Sequence, residues 1–187
     1  MNKAIPRFRR EILARELLAL QVEVATVSFA TDVAALPFTS VGGWDPPVLE
    51  AAGGTALGQA ILAGIEVLER RLAELKAMGV PVRHVMAALL SDGDDTSPKP
   101  DKTDEAARRV QGLEAAGGFD FFAVGVQHPD LTRLAKYSRK RPPVLLRGLR
   151  FAEMFRWFAA SAERISMSRP RERVALPPID AWASIQR

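Results

Sequence analysis

The sequence predicts an α/β fold in which a doubly wound, mostly parallel sheet carries helices on both faces. After residue 54, strand-forming and helix-forming segments alternate, which predicts right-handed crossovers between parallel strands. Val85–Leu90 is apolar at every position, as is typical of a parallel strand covered on both faces. Thr55–Met78 carries apolar residues at three- and four-residue steps and is followed by Gly79, which indicates a long amphipathic helix.

Before that helix, the pattern predicts one helix and a pair of strands. Val22–Phe29 is rich in β-branched residues and is predicted to be a strand. Thr31-Asp32 predicts a tight turn, so that Val33–Phe38 becomes a short strand antiparallel to the first. A helix over Ala4–Leu20 is predicted because its apolar residues share one face; they are Ile5, Phe8, Ile12, Leu13, Leu17 and Leu20.

Five further elements are predicted after the apolar strand. They are a helix over Thr103–Ala116, a strand over Phe119–Val126, a short helix over Asp130–Ser138, a short strand over Val144–Leu146 and a helix over Phe151–Ile165. The inward face of the last helix is predicted to hold Phe151, Met154, Phe155 and Phe158. Residues 1–166 are interpreted as one domain, and residues 167–187 as a Pro-containing tail that packs through Leu176, Ile179 and Trp182.

The composition excludes several classes of protein. The 187 residues include no Cys, which excludes disulfides, thiolate nucleophiles and zinc–thiolate sites and suits a reducing cytoplasm, the expected location. Residues 1–10 are basic but lead into no apolar run, so no signal peptide is predicted. No stretch approaches the roughly 20 apolar residues that span a bilayer, so no membrane partner is expected.

The net charge of +4 includes a basic cluster, made of Arg139, Lys140, Arg141, Arg147 and Arg150. Such a cluster could bind nucleic acid or an acidic protein. It contains no aromatic platform and no glycine-rich recognition motif, which argues against nucleic acid. The alternative interpretation is a solvated surface that balances the acidic loop near Asp92.

Two loops are predicted at the carboxyl ends of the strands, where ligands of such sheets bind. The first is Gly53–Gly58, which opens the long helix, and the second is Ser91–Ser97, directly after the apolar strand. Thr55 and Asp92 would offer a hydroxyl and a carboxylate, and hard oxygen ligands of this kind suit Mg²⁺ or Ca²⁺. Each residue has a structural alternative, because threonine is a good helix N-cap and Asp-Gly is common turn chemistry. The neighbouring carboxylates, Asp94 and Asp95, are interpreted as solvated.

The ordered set of these segments resembles the von Willebrand factor type A (vWA) domain, and the resemblance covers nearly the whole chain. It is carried by Val22–Phe29, Gly53-Gly54-Thr55, Leu90-Ser91-Asp92-Gly93 and Phe122-Ala123-Val124-Gly125-Val126. Phe151–Phe158 and Ser161–Ser168 are also similar to a cytoplasmic, bacterial, tellurium-resistance-type branch of that family.

The resemblance implies a Rossmann-like sheet and a metal-ion-dependent adhesion site, in which a divalent ion takes a carboxylate from a partner protein. Thr55 matches the threonine of the family's second loop, and Asp92 the aspartate of its third. The implied function is a non-enzymatic protein–protein interaction module. Its implied setting is a bacterial chemical-stress or tellurite-resistance system with kinase- and phosphatase-like partners. The oligomeric state is not implied.

One part of the family pattern is absent. The first loop should read Asp-x-Ser-x-Ser after a central strand, but the chain begins at Met1 with the first predicted helix and contains no such motif. The missing strand would lie between Val22–Phe29 and Val85–Leu90, so the sheet is expected to close up, recruit another strand or fold poorly. Either the natural start lies upstream or this is a degraded member. Two protein oxygens are too few for a Ca²⁺ site and marginal for Mg²⁺, so weak or absent metal binding is expected.

The residues leave three alternatives to this function. A serine hydrolase would need a nucleophile elbow, which the sequence lacks, and only His84 and His128 could serve as catalytic histidines. A nucleotide- or phosphate-binding protein or enzyme that uses the loops at Thr55 and Asp92 is the main alternative, because phosphates bind at helix N-termini. No Lys-Ser/Thr pair follows Thr55 in the P-loop register. A purely structural role, with the basic cluster docked on an acidic assembly, is the third.

Overall fold

The computed structural model describes residues 1–49, 53–96, 101–168 and 174–185. They form a mixed α/β structure with a four-stranded, mostly parallel sheet and a separate two-stranded hairpin. In chain order the elements are α1 (Ala4–Leu13), α2 (Glu16–Gln21), β1 (Glu23–Phe29), β2 (Val33–Ser40), α3 (Leu57–Ala77), β3 (Val85–Ser91), α4 (Thr103–Ala116), β4 (Phe119–Gly125), α5 (Leu131–Leu134), β5 (Val144–Leu146), a short 3-10 helix (Arg147–Leu149), α6 (Phe151–Met167) and β6 (Ala183–Ser184). None of the helices in these described ranges has the length and apolar character needed to cross a bilayer.

The four-stranded sheet has the order β3-β4-β5-β6. Strands β3 and β4 run parallel, with Val85 opposite Phe119 and Ser91 opposite Gly125. Strand β5 continues the parallel pairing, and β6 closes the sheet in the antiparallel direction. The parallel pairing predicted for the apolar strand is therefore confirmed.

Both faces of β3 pack against helices, which explains why Val85–Leu90 is apolar at every position. Within the strand only Ala88 is exposed. Leu89 points into a core shared with α3 and α4, which contains Leu57, Ile61, Ile65, Leu68, Ala106, Val110, Phe119 and Phe121. Met86 and Leu90 point to the opposite face and pack against a core that holds Met154, Trp157 and Phe158 of α6.

The hairpin is antiparallel, as predicted, with Glu23 opposite Ser40 and Phe29 opposite Val33. Within the described residues, however, β1 hydrogen-bonds only to β2 and not to β3. The sheet is therefore in two pieces and smaller than the single doubly wound sheet that the sequence predicts.

The first predicted helix is wrong as a single element. Arg15 has an extended backbone, with φ −113° and ψ 92°, and it separates α1 from α2. The break turns Leu18 inward, where it is 3% exposed, and leaves Leu17 and Leu20 at 77% and 85% exposure. Arg15 holds this break in place, because its guanidinium donates to the Glu11 carbonyl and pairs with Glu163 of α6. The spacing of the apolar residues alone could not predict that the break turns α2 so that Leu18, and not Leu17 or Leu20, faces inward.

The described part of the C-terminal segment packs on the domain. Trp182 is 1% exposed and lies 5.5 Å from Trp157, measured between ring centroids. The Trp157 indole donates to the Pro177 carbonyl at 2.7 Å. Leu176 and Ile179 pack against the same core, as the sequence predicts for this segment. Its contribution of strand β6 was not predicted.

Candidate functional site

The structure brings the two predicted loops together at one end of the sheet. The Thr55 amide donates to the Thr96 hydroxyl at 2.9 Å, and the Thr96 amide donates to the Thr55 carbonyl at 3.1 Å. The Gly54 amide donates to the Thr31 hydroxyl at 2.9 Å. We call Thr31, Thr55, Asp92 and Thr96 the threonine–aspartate rim.

The two glycines of the first loop permit this close approach. Gly53 has φ +70°, and a Cβ there would lie 2.3 Å from the Thr31 hydroxyl oxygen. A Cβ on Gly54 would lie 2.9 Å from the Thr96 carbonyl oxygen. A side chain at Gly54 would push the two loops apart, and one at Gly53 would displace the Thr31 hydroxyl to which the Gly54 amide donates. The Gly53-Gly54 pair is therefore required by the contacts that build the rim.

Thr55 is not the helix N-cap that its sequence context suggested. Helix α3 begins at Leu57, its N-cap position is Ala56, and no side chain caps it there. Instead the Asp95 carboxylate, from the other loop, accepts from the Gly58 amide at 3.4 Å. The sequence interpretation of Asp95 as a solvated carboxylate is therefore wrong. The sequence could not show that Asp95 binds the start of α3, because Gly58 and Asp95 are 37 residues apart.

Asp92 follows β3 directly and is exposed. Its carboxylate accepts from the Asp94 amide at 3.3 Å and from the Ser91 hydroxyl at 3.4 Å. Its carbonyl accepts from the Asp130 amide at 2.7 Å. The predicted Asp-Gly turn is thus present, with Gly93 at φ +91°. This turn uses one carboxylate oxygen and leaves the ligand role of Asp92 a prediction.

The threonine–aspartate rim offers few side-chain oxygens of the kind that bind divalent ions. Thr55 and Asp92 contribute one hydroxyl and one carboxylate, whereas Ca²⁺ takes six to eight oxygen ligands. Across the parts of the chain that the structure describes, no three His, Cys, Asp or Glu residues are grouped as metal ligands. The prediction of weak or absent metal binding stays a prediction.

The amides at the start of α3 are largely occupied. Those of Gly54, Thr55 and Gly58 donate to side-chain oxygens from other segments, and that of Ala56 donates to the Ala30 carbonyl at 2.9 Å. A phosphate at a helix N-terminus needs such amides free. This arrangement disfavours a phosphate cradle at the rim.

A second polar cluster lies at the opposite end of the sheet, where β3 and β4 begin. The Asp120 carboxylate is 6% exposed and pairs with His84 at 2.9 Å, Lys140 at 2.6 Å and Arg141 at 3.0 Å. Burial by itself would raise the pKa of Asp120, but the hydrogen bonds from these three residues outweigh it and lower the pKa below its ordinary value of 3.8. This cluster was not predicted from the sequence.

These contacts assign structural partners to most of the basic cluster. Lys140 and Arg141 neutralise Asp120, while Arg147 and Arg150 donate to the carbonyls of Asp180 and Ala181, each at 3.0 Å. Arg147 and Arg150 therefore hold the C-terminal segment rather than extending freely into solvent. Of the two histidines, His84 is engaged by Asp120, and His128 is exposed in the loop after β4.

Comparison with known proteins adds no family to this description. No family model matches the chain, and no curated protein matches it significantly.

Proposed function

We propose that this chain is a non-enzymatic protein-interaction module of the vWA type, and that it contacts its partner with the threonine–aspartate rim. The observation that carries the proposal is the meeting of two loops at one end of the sheet, where Thr55 and Thr96 exchange two hydrogen bonds. Ligands of parallel α/β sheets bind beyond the carboxyl ends of the strands. The vWA resemblance points to the same two loops, and its tellurium-resistance-type branch suggests a cytoplasmic stress-response setting.

An acidic side chain is the proposed contact on the partner. Asp92 and Asp94 are both exposed on the second loop, and their charges would repel a carboxylate unless a cation lies between them. Mg²⁺ or Ca²⁺ would suit the oxygen ligands involved. Because the chain supplies so few of those ligands, the free chain should bind either ion weakly.

Two observations weigh against the alternatives. Nucleotide or phosphate binding is the less favoured candidate, because the amides at the start of α3 already have partners. Catalysis by His84 at the rim is disfavoured because His84 and its partner Asp120 lie at the opposite end of the sheet. The chain is proposed to catalyse nothing.

The test is affinity capture of the partner with the full chain and three variants. Thr55→Ala and Asp92→Ala should each reduce capture about tenfold, which corresponds to about 1.4 kcal/mol of binding free energy. Asp45→Ala, which removes an exposed carboxylate outside the two loops, is the control and should capture the partner normally. Equal capture by all variants would place the interface elsewhere.

The same capture experiment with a metal chelator shows whether a bound cation takes part in the contact with the partner. Chelation should abolish capture if a cation bridges two carboxylates. Capture that resists chelation but falls steeply with salt would instead favour the basic cluster as the contact. Titration calorimetry should detect no tight Mg²⁺ binding by the chain alone, and a tight stoichiometric signal would contradict the assignment of an incomplete donor set.

A further inference from the structure

Helix α3 leads into a run of exposed apolar residues. Ala77–Val82 carries no polar side chain, and every residue in it is exposed. Val80 and Val82 are 46% and 43% exposed. The run is flanked by Lys76 and Arg83, which are exposed as well. Single apolar residues are normal at a protein surface, but a contiguous apolar patch with a polar border is typical of an interaction site.

The exposed run forms one side of a shallow groove, which we call the α3-end groove. Its volume is about 380 Å³, and its lining residues are Leu72, Lys76, Gly79, Val80, Pro81 and Val82. Gly79 keeps the groove open, because an added Cβ there would meet nothing within 4 Å. The volume is at the small end of the roughly 300–1,000 Å³ of ligand pockets. The groove therefore suits one large apolar side chain rather than an extended cofactor.

Backbone hydrogen bonds fix the shape of the α3-end groove. The chain leaves α3 through Gly79, which has φ +71°. The Gly79 amide donates to the Lys76 carbonyl at 3.1 Å, and the Val80 amide donates to the Leu75 carbonyl at 2.9 Å. These two bonds form a Schellman motif, which holds Val80 against the last turn of the helix. A groove that is already formed loses little conformational freedom when it binds a ligand.

The charges at the α3-end groove favour an anionic ligand. Lys76 lines the groove, and its lining includes no acidic residue. Arg83 follows the exposed run directly, and its guanidinium donates to the Ser168 carbonyl. Glu74, two residues before Lys76, is paired with Arg71 at 2.8 Å. A carboxylate that approaches the groove therefore meets a net positive charge and is attracted to it.

We propose that the α3-end groove binds a short acidic segment of a partner protein. One large apolar side chain of that segment would enter the groove, and carboxylates on either side of it would pair with Lys76 and Arg83. Burial of the apolar side chain would supply affinity, and the carboxylates would set the orientation. An anionic membrane is the less favoured occupant, because membrane-surface elements insert a projecting apolar face into the lipid, whereas these apolar residues line a groove.

The α3-end groove is remote from the threonine–aspartate rim. Helix α3 begins next to the rim, where the Thr55 amide bonds to the Thr96 hydroxyl, and the groove lies at its other end. The helix has 21 residues, which corresponds to a length of about 30 Å. The inference therefore does not rest on the proposed function of the rim.

A peptide-binding experiment with the full chain tests the groove. The probe is a five-residue peptide, capped at both ends, with a central phenylalanine and two glutamates on each side. Two-dimensional NMR spectra locate the peptide, and the amide signals of Lys76, Gly79, Val80 and Val82 should shift. One control peptide has alanine in place of phenylalanine, and the other has glutamine in place of each glutamate. Each control should bind at least about fivefold more weakly, because it lacks either the apolar or the ionic contact.

Two variants of the chain, each with a matched control, test the lining residues. Lys76→Glu reverses the charge at the groove and should weaken binding of the acidic peptide at least about tenfold. Lys3→Glu makes the same change at another exposed lysine and should bind the peptide normally. Val80→Ser should weaken binding about threefold, whereas Val48→Ser, at an exposed valine outside the groove, should not. Thermal denaturation checks that each variant folds.

Several results would overturn the proposal. They are absence of peptide binding, signal shifts confined to the rim, and equal binding by Lys76→Glu and Lys3→Glu. Sedimentation of the chain with phosphatidylserine vesicles, without binding of the peptide, would identify an anionic membrane as the occupant instead. Self-association of the chain that Val80→Ser abolishes would identify a second copy.

Rim variants separate this inference from the proposed function. Thr55→Ala and Asp92→Ala should bind the acidic peptide normally, because neither residue lines the groove. Loss of binding in both variants would show that the peptide binds at the rim. Failure of the peptide experiment would leave the rim-dependent capture of a partner as a separate result.

Discussion

At the scale of single residues, Asp120 is a nearly buried carboxylate with three basic partners. Despite this burial it stays charged, because His84 and Arg141 donate hydrogen bonds to it and the Lys140 ammonium forms an ion pair with it. A buried charge is costly unless it is paired and hydrogen-bonded. The cluster therefore ties the starts of β3 and β4 to the loop that precedes β5.

We expect Asp120→Asn to lower the free energy of unfolding by about 1.5–3 kcal/mol, because the buried side chain loses its hydrogen bonds with charged partners, while Lys140 and Arg141 stay partly solvated. Urea denaturation at pH 7 measures the change. Asp180→Asn is the control, because that side chain is exposed, and it should change stability by less than about 0.5 kcal/mol. Equal stability of the two variants would contradict the assigned role.

The same carboxylate predicts a dependence of stability on pH. Its pKa is lower in the folded protein than the ordinary value of 3.8. The stabilisation is therefore complete above about pH 4 and is lost as the pH falls towards the folded-state pKa. The stability difference between wild type and Asp120→Asn should shrink below pH 4, and a difference that grows there would reverse the assigned sign.

Gly93 is a second residue whose identity the backbone dictates. Its φ is +91°, and a Cβ would lie 2.8 Å from the Asp130 carbonyl oxygen. Gly93→Ala should therefore cost about 1–3 kcal/mol in stability. Gly112→Ala is the matched control, because Gly112 lies inside α4 with nothing within 4 Å of an added Cβ. That substitution should stabilise the helix by about 0.5–1 kcal/mol, and a similar loss in both variants would contradict the prediction.

At the scale of elements, the sequence pattern predicts the bounds of a helix or strand well where local residues alone determine them. Helix α4 has the predicted bounds, and Val144–Leu146 is a strand as predicted. Pattern fails where tertiary contacts decide. The break at Arg15 is accompanied by an ion pair with Glu163, which is distant in sequence. Strand β6 pairs with the edge of β5 through Ala183–Ser184.

The C-terminal segment should be a strong contributor to stability. Trp182 is 1% exposed and packs against Trp157, so Trp182→Ala should cost about 3–5 kcal/mol. Ile185→Ala is the control, because Ile185 is 52% exposed. Thermal denaturation compares the two variants. A small effect of Trp182→Ala would show that the segment docks weakly.

At the scale of the whole molecule, the sequence predicts which elements form better than it predicts which strands pair with each other. The parallel strands and the helices on both faces are present, but one sheet was predicted and two pieces are found. For the candidate site, strand order sufficed to predict that the loops of Thr55 and Asp92 meet. It could not predict the Thr31 and Thr96 hydroxyls that join them, because those contacts span 23 and 41 residues.

The two pieces should differ in local stability. Strand β4 is buried along its whole length and has a neighbour on each side, whereas much of β2 is exposed. Native-state hydrogen exchange should therefore be at least about tenfold slower in β4 than in β2, because local opening is easiest where few apolar contacts are lost. Equal rates would show that the hairpin and the sheet open as one unit.

The packing of Trp182 has a consequence for solubility. The core between β4, β5 and α6 is complete only when residues 174–184 are in place. Detachment of this segment would expose the ring surfaces of Trp157 and Phe158 that Trp182 covers, and an exposed apolar patch of this kind promotes self-association. The segment therefore protects the folded protein against aggregation as well as against unfolding.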